Sequence, residues 1–314
     1  MQVVEGWKAL PTDQRGAAVA LGNFDGVHLG HQQVIQDALA AARSLGVAPA
    51  VISFEPHPRR YFQPDAEPFR LMDHDQMVRA LAALGVERLY RLPFDREMAE
   101  MSDEAFARRV LGEGLGARHV AAGFDITFGR GRTGSPESLR AYGEALGFSV
   151  SIRAPVTGAG GGKLSSSAVR DALMSGDMDA ARAILTRPFA IRGEVIHGDA
   201  RGRTIGVPTA NVALGDYVRP RYGVYATRST LADGRVFDGV ANLGLRPMFE
   251  TREPMLEVWL FGFSGDLYGR VIETALIAHL RDEAMLDGLE ALKAQIARDA
   301  EAARAVLAAE KSAS

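Results

Sequence analysis

Apolar and polar positions follow two different periods along the first half of the chain. Short runs at Ala17–Gly22, Ala50–Phe54, Arg88–Leu92, His119–Ala122 and Phe148–Ile152 read as strands. Between them, His28–Leu45, Asp73–Leu84, Ser102–Leu111 and Ser135–Leu146 carry helical spacing. Gly46 suits the end of the first helix and Ser102 the start of the third. This β-α-β-α order predicts an α/β fold: a doubly wound parallel sheet with helices on both faces. The pattern then changes. Ser165–Leu173 and Asp179–Leu185 predict two short helices. From Phe189 onward short strands are broken by Gly and Pro, at Ala190–Ile196, Ala210–Leu214, Val224–Arg228, Val236–Val240, Leu256–Phe261 and Val271–Leu280. Such regular short strands predict a small barrel. Glu283–Leu307 is helical, and its stripe of Met285, Leu289, Leu292 and Ile296 is expected to pack on that barrel. The last four residues, KSAS, are expected to fray. A boundary near Thr186–Pro188 divides 1–185 from 187–314, and no segment repeats at a fixed period.

Length agrees with two domains, since 314 residues exceed one average core. With 47% hydrophobic and 24% charged residues the balance is that of an ordinary soluble protein. A net charge of −3 supplies no basic field for nucleic acid. The absence of cysteine excludes disulfides, thiolate metal sites and a cysteine nucleophile, and fits a reducing compartment. MQVVEGWKALP lacks the basic region and apolar run of a signal peptide, and no apolar stretch nears the ~20 residues that span a bilayer. The expectation is a cytoplasmic protein with no nucleic-acid, membrane or obligate protein partner.

Candidate chemistry begins at Gly22-Asn23-Phe24-Asp25-Gly26-Val27-His28-Leu29-Gly30-His31, between the first strand and the first helix. Open α/β sheets bind ligands outside the carboxyl ends of their strands, and a helix N-terminus offers N–H groups to an anion. His28 and His31 share one face of the first turn, and Gly30 leaves backbone room for a phosphate. Two imidazole donors there would stabilise charge building on a phosphate under attack. For an isolated H-x-x-H, two surface histidines or a zinc pair are the competing readings; no further Cys or clustered His completes a tetrahedron. Gly158-Ala159-Gly160-Gly161-Gly162-Lys163 imitates a phosphate loop, but Thr157 and Leu164 break the required G-x-x-x-x-G-K-[ST], so a glycine loop with a solvated lysine is expected.

The segment resembles the H-x-G-H signature of the nucleotidyltransferase superfamily. GNFDGVHLGHQ as a whole is similar to the bacterial bifunctional riboflavin kinase/FAD synthetase family, as are Phe54-Glu55-Pro56-His57-Pro58-Arg59, Gly123-Phe124-Asp125-Ile126-Thr127-Phe128-Gly129 and Ser165-Ser166-Ser167-Ala168-Val169-Arg170. The resemblance implies that His28 and His31 hold ATP phosphates during AMP transfer. Gly22, Asn23, Phe24, Asp25, Gly30 and Asp125 would line the nucleotide site. Ser166, Ser167 and Arg170 would hold the triphosphate and the departing pyrophosphate. His57 and Arg59 are implied flavin contacts. Ser167 and Ala168 depart from the threonine and arginine often found there, and Ser167 keeps a hydroxyl.

A second constellation runs from Gly193 to Asn211, with Gly198, Arg201, Gly202 and Gly206 in a loop before Pro208-Thr209-Ala210-Asn211. Glycines allow backbone to approach phosphates, and Thr and Asn oxygens are hard ligands suited to Mg²⁺; singly, each is as common in turns and strand ends. Together they resemble the riboflavin kinase module, as do Pro220–Ala226, Gly239–Gly244 with Arg246-Pro247, Glu257–Phe261 and Gly265–Gly269. The resemblance implies a six-stranded barrel, Mg²⁺ and ATP held at Thr209 and Asn211, flavin contacts from Asn242 and Arg246, and Glu257 as general base. Met248, Trp259 and Gly262 stand where threonine, histidine and aspartate are usual. The implied activity is phosphorylation of riboflavin to FMN with ATP, then adenylylation of FMN to FAD with a second ATP. Another H-x-G-H enzyme and a non-catalytic flavin-binding regulator are the rival classes.

Overall fold

Ala18-Val19-Ala20-Leu21 is buried at all four positions, as only an interior strand covered on both faces can be. The computed structural model describes residues 1–158, 162–197, 207–245, 254–285 and 287–313. It forms two compact units, Met1–Glu67 with His74–Ser165, and Pro68–Asp73 with Ser166–Ser314.

In the first unit, six strands lie in the order β1-β4-β3-β2-β5-β6. They are β1 (Gln2–Glu5), β2 (Ala18–Leu21), β3 (Pro49–Glu55), β4 (Arg88–Pro93), β5 (His119–Gly123) and β6 (Ser149–Arg153), and every pairing is parallel. The helices are α1 (Leu29–Leu45), α2 (Pro58–Phe62), α3 (His74–Ala83), α4 (Arg96–Glu100), α5 (Asp103–Ala105) and α6 (Pro136–Leu146); α5 continues as a π-helical run, Phe106–Gly114. Local chemistry sets their ends. Ser102 and Ser135 accept backbone N–H bonds at two N-termini, and Gly46 turns left-handed (φ 64°) after α1. Val19, Leu21, Ile52, Leu92, Leu111 and Leu139 belong to one buried core. The edge strand β1 and the short α2 and α4 extend the pattern read from the sequence.

His119 is buried at the start of β5, with Ser149 Oγ 2.8 Å from Nδ1 and Ser151 Oγ 2.9 Å from Nε2. Hydroxyls can accept or donate, so either protonation state keeps its partners, and burial is left to penalise the charged form and lower the pKa. The unfolded chain therefore binds a proton that the folded chain resists. Stability contributed by the neutral ring is complete above the unfolded value of about 6.5 and is lost as pH falls from there toward the depressed folded value. Urea titrations between pH 7.5 and 5 should show this loss in the wild type and a shallower slope in His119→Gln.

The second unit holds α7 (Ser166–Ser175), α8 (Met178–Leu185) and six strands, β7 (Phe189–Ile196), β8 (Ala210–Ala213), β9 (Gly223–Leu231), β10 (Val236–Leu245), β11 (Pro254–Leu260) and β12 (Val271–Arg281). They close a barrel in the order β10-β11-β8-β7-β12-β9, antiparallel throughout. Ile191, Val212, Leu243, Leu256 and Val258 are buried in its wall, and α8 packs on β7 and β12. The six-residue strap Pro68–Asp73 also belongs here. Its Arg70 exchanges backbone hydrogen bonds with Asp216 and Val218, its Phe69, Leu71 and Met72 are buried, and Asp73 pairs with Arg192 at 3.0 Å.

The last helix, α9, runs from Leu289 to Ala313, later than the sequence pattern places it. Met285 precedes it fully exposed, and Leu289 and Leu292 are exposed. The side chains buried against the barrel are Ala300, Ala303 and Leu307. Alanines let the helix axis approach the outer wall, where Val224, Ala226 and Val240 meet it, and this close fit outweighs the leucine stripe. Of the last four residues, Lys311 and Ser312 lie within the helix, where Lys311 pairs with Asp238 at 2.6 Å, and Ser314 lies outside the described residues.

Candidate active sites

In the sheet order of the first unit, the connection after β2 runs to β3 on one side and the connection after the neighbouring β5 runs to β6 on the other. The carboxyl ends at such a switch point form the crevice where α/β sheets take ligands. Leu21 is in register with Ile52 on one side and Ala122 on the other, so the segments after β2, β3 and β5 leave from three neighbouring strand ends. They are the segments carrying His28 and His31, His57 and Arg59, and Asp125.

The turn after β2 is built from unusual backbone. Phe24 (φ 51°), Gly26 (φ 88°) and Val27 (φ 40°) are left-handed, and Phe24 and Val27 are locked by near-complete burial. Asp25 is also buried, Asn23 is exposed, and Gln32 braces the turn through the Val27 carbonyl at 3.0 Å. His28 is the N-cap of α1, its Nδ1 accepting from the His31 backbone N–H at 3.3 Å. That bond selects the tautomer with its proton on Nε2. The two imidazoles stack with centroids 3.6 Å apart, and Phe24 lies edge-on to His31 at 5.2 Å. A Cβ on Gly30 would come to 3.0 Å from the Leu164 carbonyl and 3.1 Å from the His28 ring, so chain and imidazole pack tightly against this glycine. A Cβ on Gly22 would meet the Phe24 ring at 3.2 Å.

His57 caps α2, accepting from the Arg59 backbone N–H at 3.1 Å. Asp125 is exposed beyond β5 and bonds Lys163 at 2.6 Å, while Lys163 Nζ lies 4.8 Å from the Phe124 ring centroid. Lys163, expected in solvent, is thus tied to the β5 strand end. Ser166, Ser167 and Arg170 open α7 in the second unit. Arg170 Nε donates to the Phe69 carbonyl at 2.7 Å, and its guanidinium lies over the Phe69 ring.

In the barrel, register joins residues far apart in sequence. Glu257 on β11 is paired with Asn211 on β8 and with Asn242 on β10. Directly paired residues point to the same face, so the carboxylate sits between two amides. Leu256, Val258 and Leu260 point inward and are buried; Glu257 and Trp259 take the outer face. Asn211 is buried, and Thr209 stands two residues before it at the entrance to β8. Trp259 packs edge-on against Phe261 at 5.3 Å, and Arg304 of α9 lies 4.2 Å from the Phe261 ring centroid, so the Trp259 departure builds the wall on which α9 rests. Gly262 follows with φ 71°, a left-handed turn that glycine adopts without strain. Gly198, Arg201, Gly202, Gly206, Arg246 and Met248 lie outside the described residues.

The family model described as FAD synthetase matches residues 10–168, and that described as riboflavin kinase matches 185–307. Across 98% of both chains the sequence is 40% identical to the bifunctional riboflavin kinase/FMN adenylyltransferase of Pseudomonas fluorescens. The chain belongs to this bifunctional family. The Escherichia coli K12 member is 40% identical over 93% of each chain. The fold is similar, with TM-score 0.85 and 31% identity over 96% of this chain and 98% of the other, to a solved structure titled as a macrolide-efflux protein from Streptococcus pneumoniae. Among the described residues no helix is long and apolar enough to cross a membrane.

Proposed function

We propose that the chain phosphorylates riboflavin to FMN on the outer face of the barrel and adenylylates FMN to FAD at the histidine turn. The alignment of Asn211, Glu257 and Asn242 on three adjacent strands carries the kinase reading. Glu257 accepts the proton of the ribityl 5′-hydroxyl as its oxygen attacks the γ-phosphorus; the bond to the β-phosphate oxygen breaks and ADP departs. Asn242 and Arg246 orient the flavin, and Gly198, Arg201, Gly202 and Gly206 cover the nucleotide. Thr209 and Asn211, two residues apart at the start of β8, offer neutral oxygens, a donor type that fits Mg²⁺ completing its shell with phosphates and water. Bound there, the ion would screen phosphate charge.

In the second reaction an FMN phosphate oxygen attacks the α-phosphorus of ATP and pyrophosphate leaves. His28 and His31 donate to the oxygens on which charge builds, backed by the N-terminus of the 17-residue α1. Gly22, Asn23, Phe24, Asp25, Gly30 and Asp125 shape the nucleotide site, and His57 and Arg59 the flavin site. Ser166, Ser167 and Arg170 hold the departing pyrophosphate, with Arg170 anchored through its Nε. Incubating the protein with riboflavin, ATP and Mg²⁺ and separating the products should give FMN, then FAD with pyrophosphate. Appearance of neither flavin product would overturn the reading.

We assign AMP transfer to residues 1–185 and phosphoryl transfer to 187–314. A 187–314 fragment should make FMN and no FAD. It lacks α7, α8 and the strap, whose Phe69, Leu71, Met72, Ile184 and Leu185 are buried in the second unit, so its thermal midpoint should lie well below that of the barrel in the full chain. A folded fragment that binds ATP and makes no FMN would refute the assignment.

A further inference from the structure

Asp299 is the first buried residue of α9; from Leu289 to Ala294 every residue is exposed. It is a carboxylate at the point where the helix reaches the barrel, where an apolar side chain would suffice for adhesion alone. Arg281, the last residue of β12, grips it in two parallel bonds, Nε to Oδ1 at 2.8 Å and Nη2 to Oδ2 at 2.6 Å. Gln295, one turn earlier, donates to the same Oδ1 at 2.8 Å, and Arg281 Nη1 donates to the Asp282 carbonyl. Buried ion pairs add little net stability, but a planar fork on a carboxylate fixes direction.

The other end of this fork leads to the proposed kinase site. Arg281 is in register with Val224, Val224 with Asn242, and Asn242 with Glu257. These paired residues share the outer face of the barrel, and Val224, Ala226 and Val240 on it are the residues α9 covers. The pair therefore pins the helix at one end of a row whose fourth member, three strands away, is the base. The opposite end of α9 is pinned separately, by Glu310 between Arg182 and Arg228. That anchor is about 16 Å further along the helix.

We propose that Asp299 is a positioning residue for the phosphoryl-transfer site, fixing through Arg281 the end of the strand row that runs through Val224 and Asn242 to Glu257. This rests on the reading that riboflavin presents its hydroxyl to Glu257. A surface that holds the substrate equally well in the ground and transition states, when displaced, raises KM and leaves kcat in place.

The test uses the full chain with riboflavin, ATP and Mg²⁺. Asp299→Ala and the milder Asp299→Asn should raise the riboflavin KM by about tenfold or more while kcat, the ATP KM and FAD formation from supplied FMN stay within about twofold. Arg281→Lys, which keeps the charge and loses the fork, should fall between them and the wild type. Glu310→Gln, at the far anchor, should lower the thermal midpoint comparably and leave the riboflavin KM in place. An unchanged riboflavin KM in both Asp299 variants, or an equal rise in Glu310→Gln, would overturn the proposal. If Asp299 variants shift KM while Glu257→Gln keeps its kinase rate, the base assignment fails and the positioning role stands.

Discussion

Glu257→Gln should convert supplied FMN to FAD at the wild-type rate and make FMN from riboflavin ~10²–10⁴-fold more slowly, the range for losing a general base. Glutamine keeps the shape of the side chain and its place between Asn211 and Asn242, so barrel packing is unperturbed. ATP affinity should barely change, because the lost function is proton acceptance from the other substrate. Quenched-flow product analysis with riboflavin, beside nucleotide titration, separates the two. Phosphoryl transfer with late proton removal would place the loss at the lower end of this range. A kinase rate within a few-fold of wild type would remove Glu257 from the role.

The second large effect falls on the histidine turn. His31→Ala should slow FAD formation from FMN by ~10²–10³-fold, as expected for one donor to developing charge, with FMN formation from riboflavin near wild type. His28 needs a finer pair of variants, because its ring also caps α1. His28→Ala loses both the donor and the cap, and the lost cap costs about 1 kcal/mol of stability. His28→Asn restores a capping side chain without an imidazole. Both should lose AMP transfer equally, and only His28→Ala should melt earlier. If His28→Asn recovers activity, the cap was the contribution of His28 and the chemistry lies elsewhere.

Most strands and long helices were legible from their period, and at several helices a cap agreed with it: Ser135 and Gly147 bound α6 as Ser102 begins α5. The α9 contact was not. Alanine carries little weight in a hydrophobic pattern, so Ala300 and Ala303 were outvoted by Leu289 and Leu292, although a helix lying close on a barrel needs small residues. The four-residue β1 is too short to show a period. In the sites, the strings around His28 and Glu257 could be read locally, since each is contiguous. Strand register could not: nothing in spacing alone says that Asn211, Glu257 and Asn242 are neighbours, or that Arg281 and Asp299 meet. The tie from Lys163 to Asp125 joins residues 38 apart in sequence, which spacing alone does not bring together.

The strap has a consequence for the order of synthesis. Phe69, Leu71 and Met72 leave the ribosome before any barrel strand has been made, yet their burial is in the barrel unit. At translation rates of roughly 5–20 residues per second, they wait on the order of ten seconds for Tyr217 and its neighbours to emerge. During that interval the nascent sheet can close around β2 while the strap, with three large apolar side chains, stays uncovered between α2 and α3. A ribosome stalled before β8 would display this adhesive segment to chaperones, and so would any gene truncation that removes the barrel.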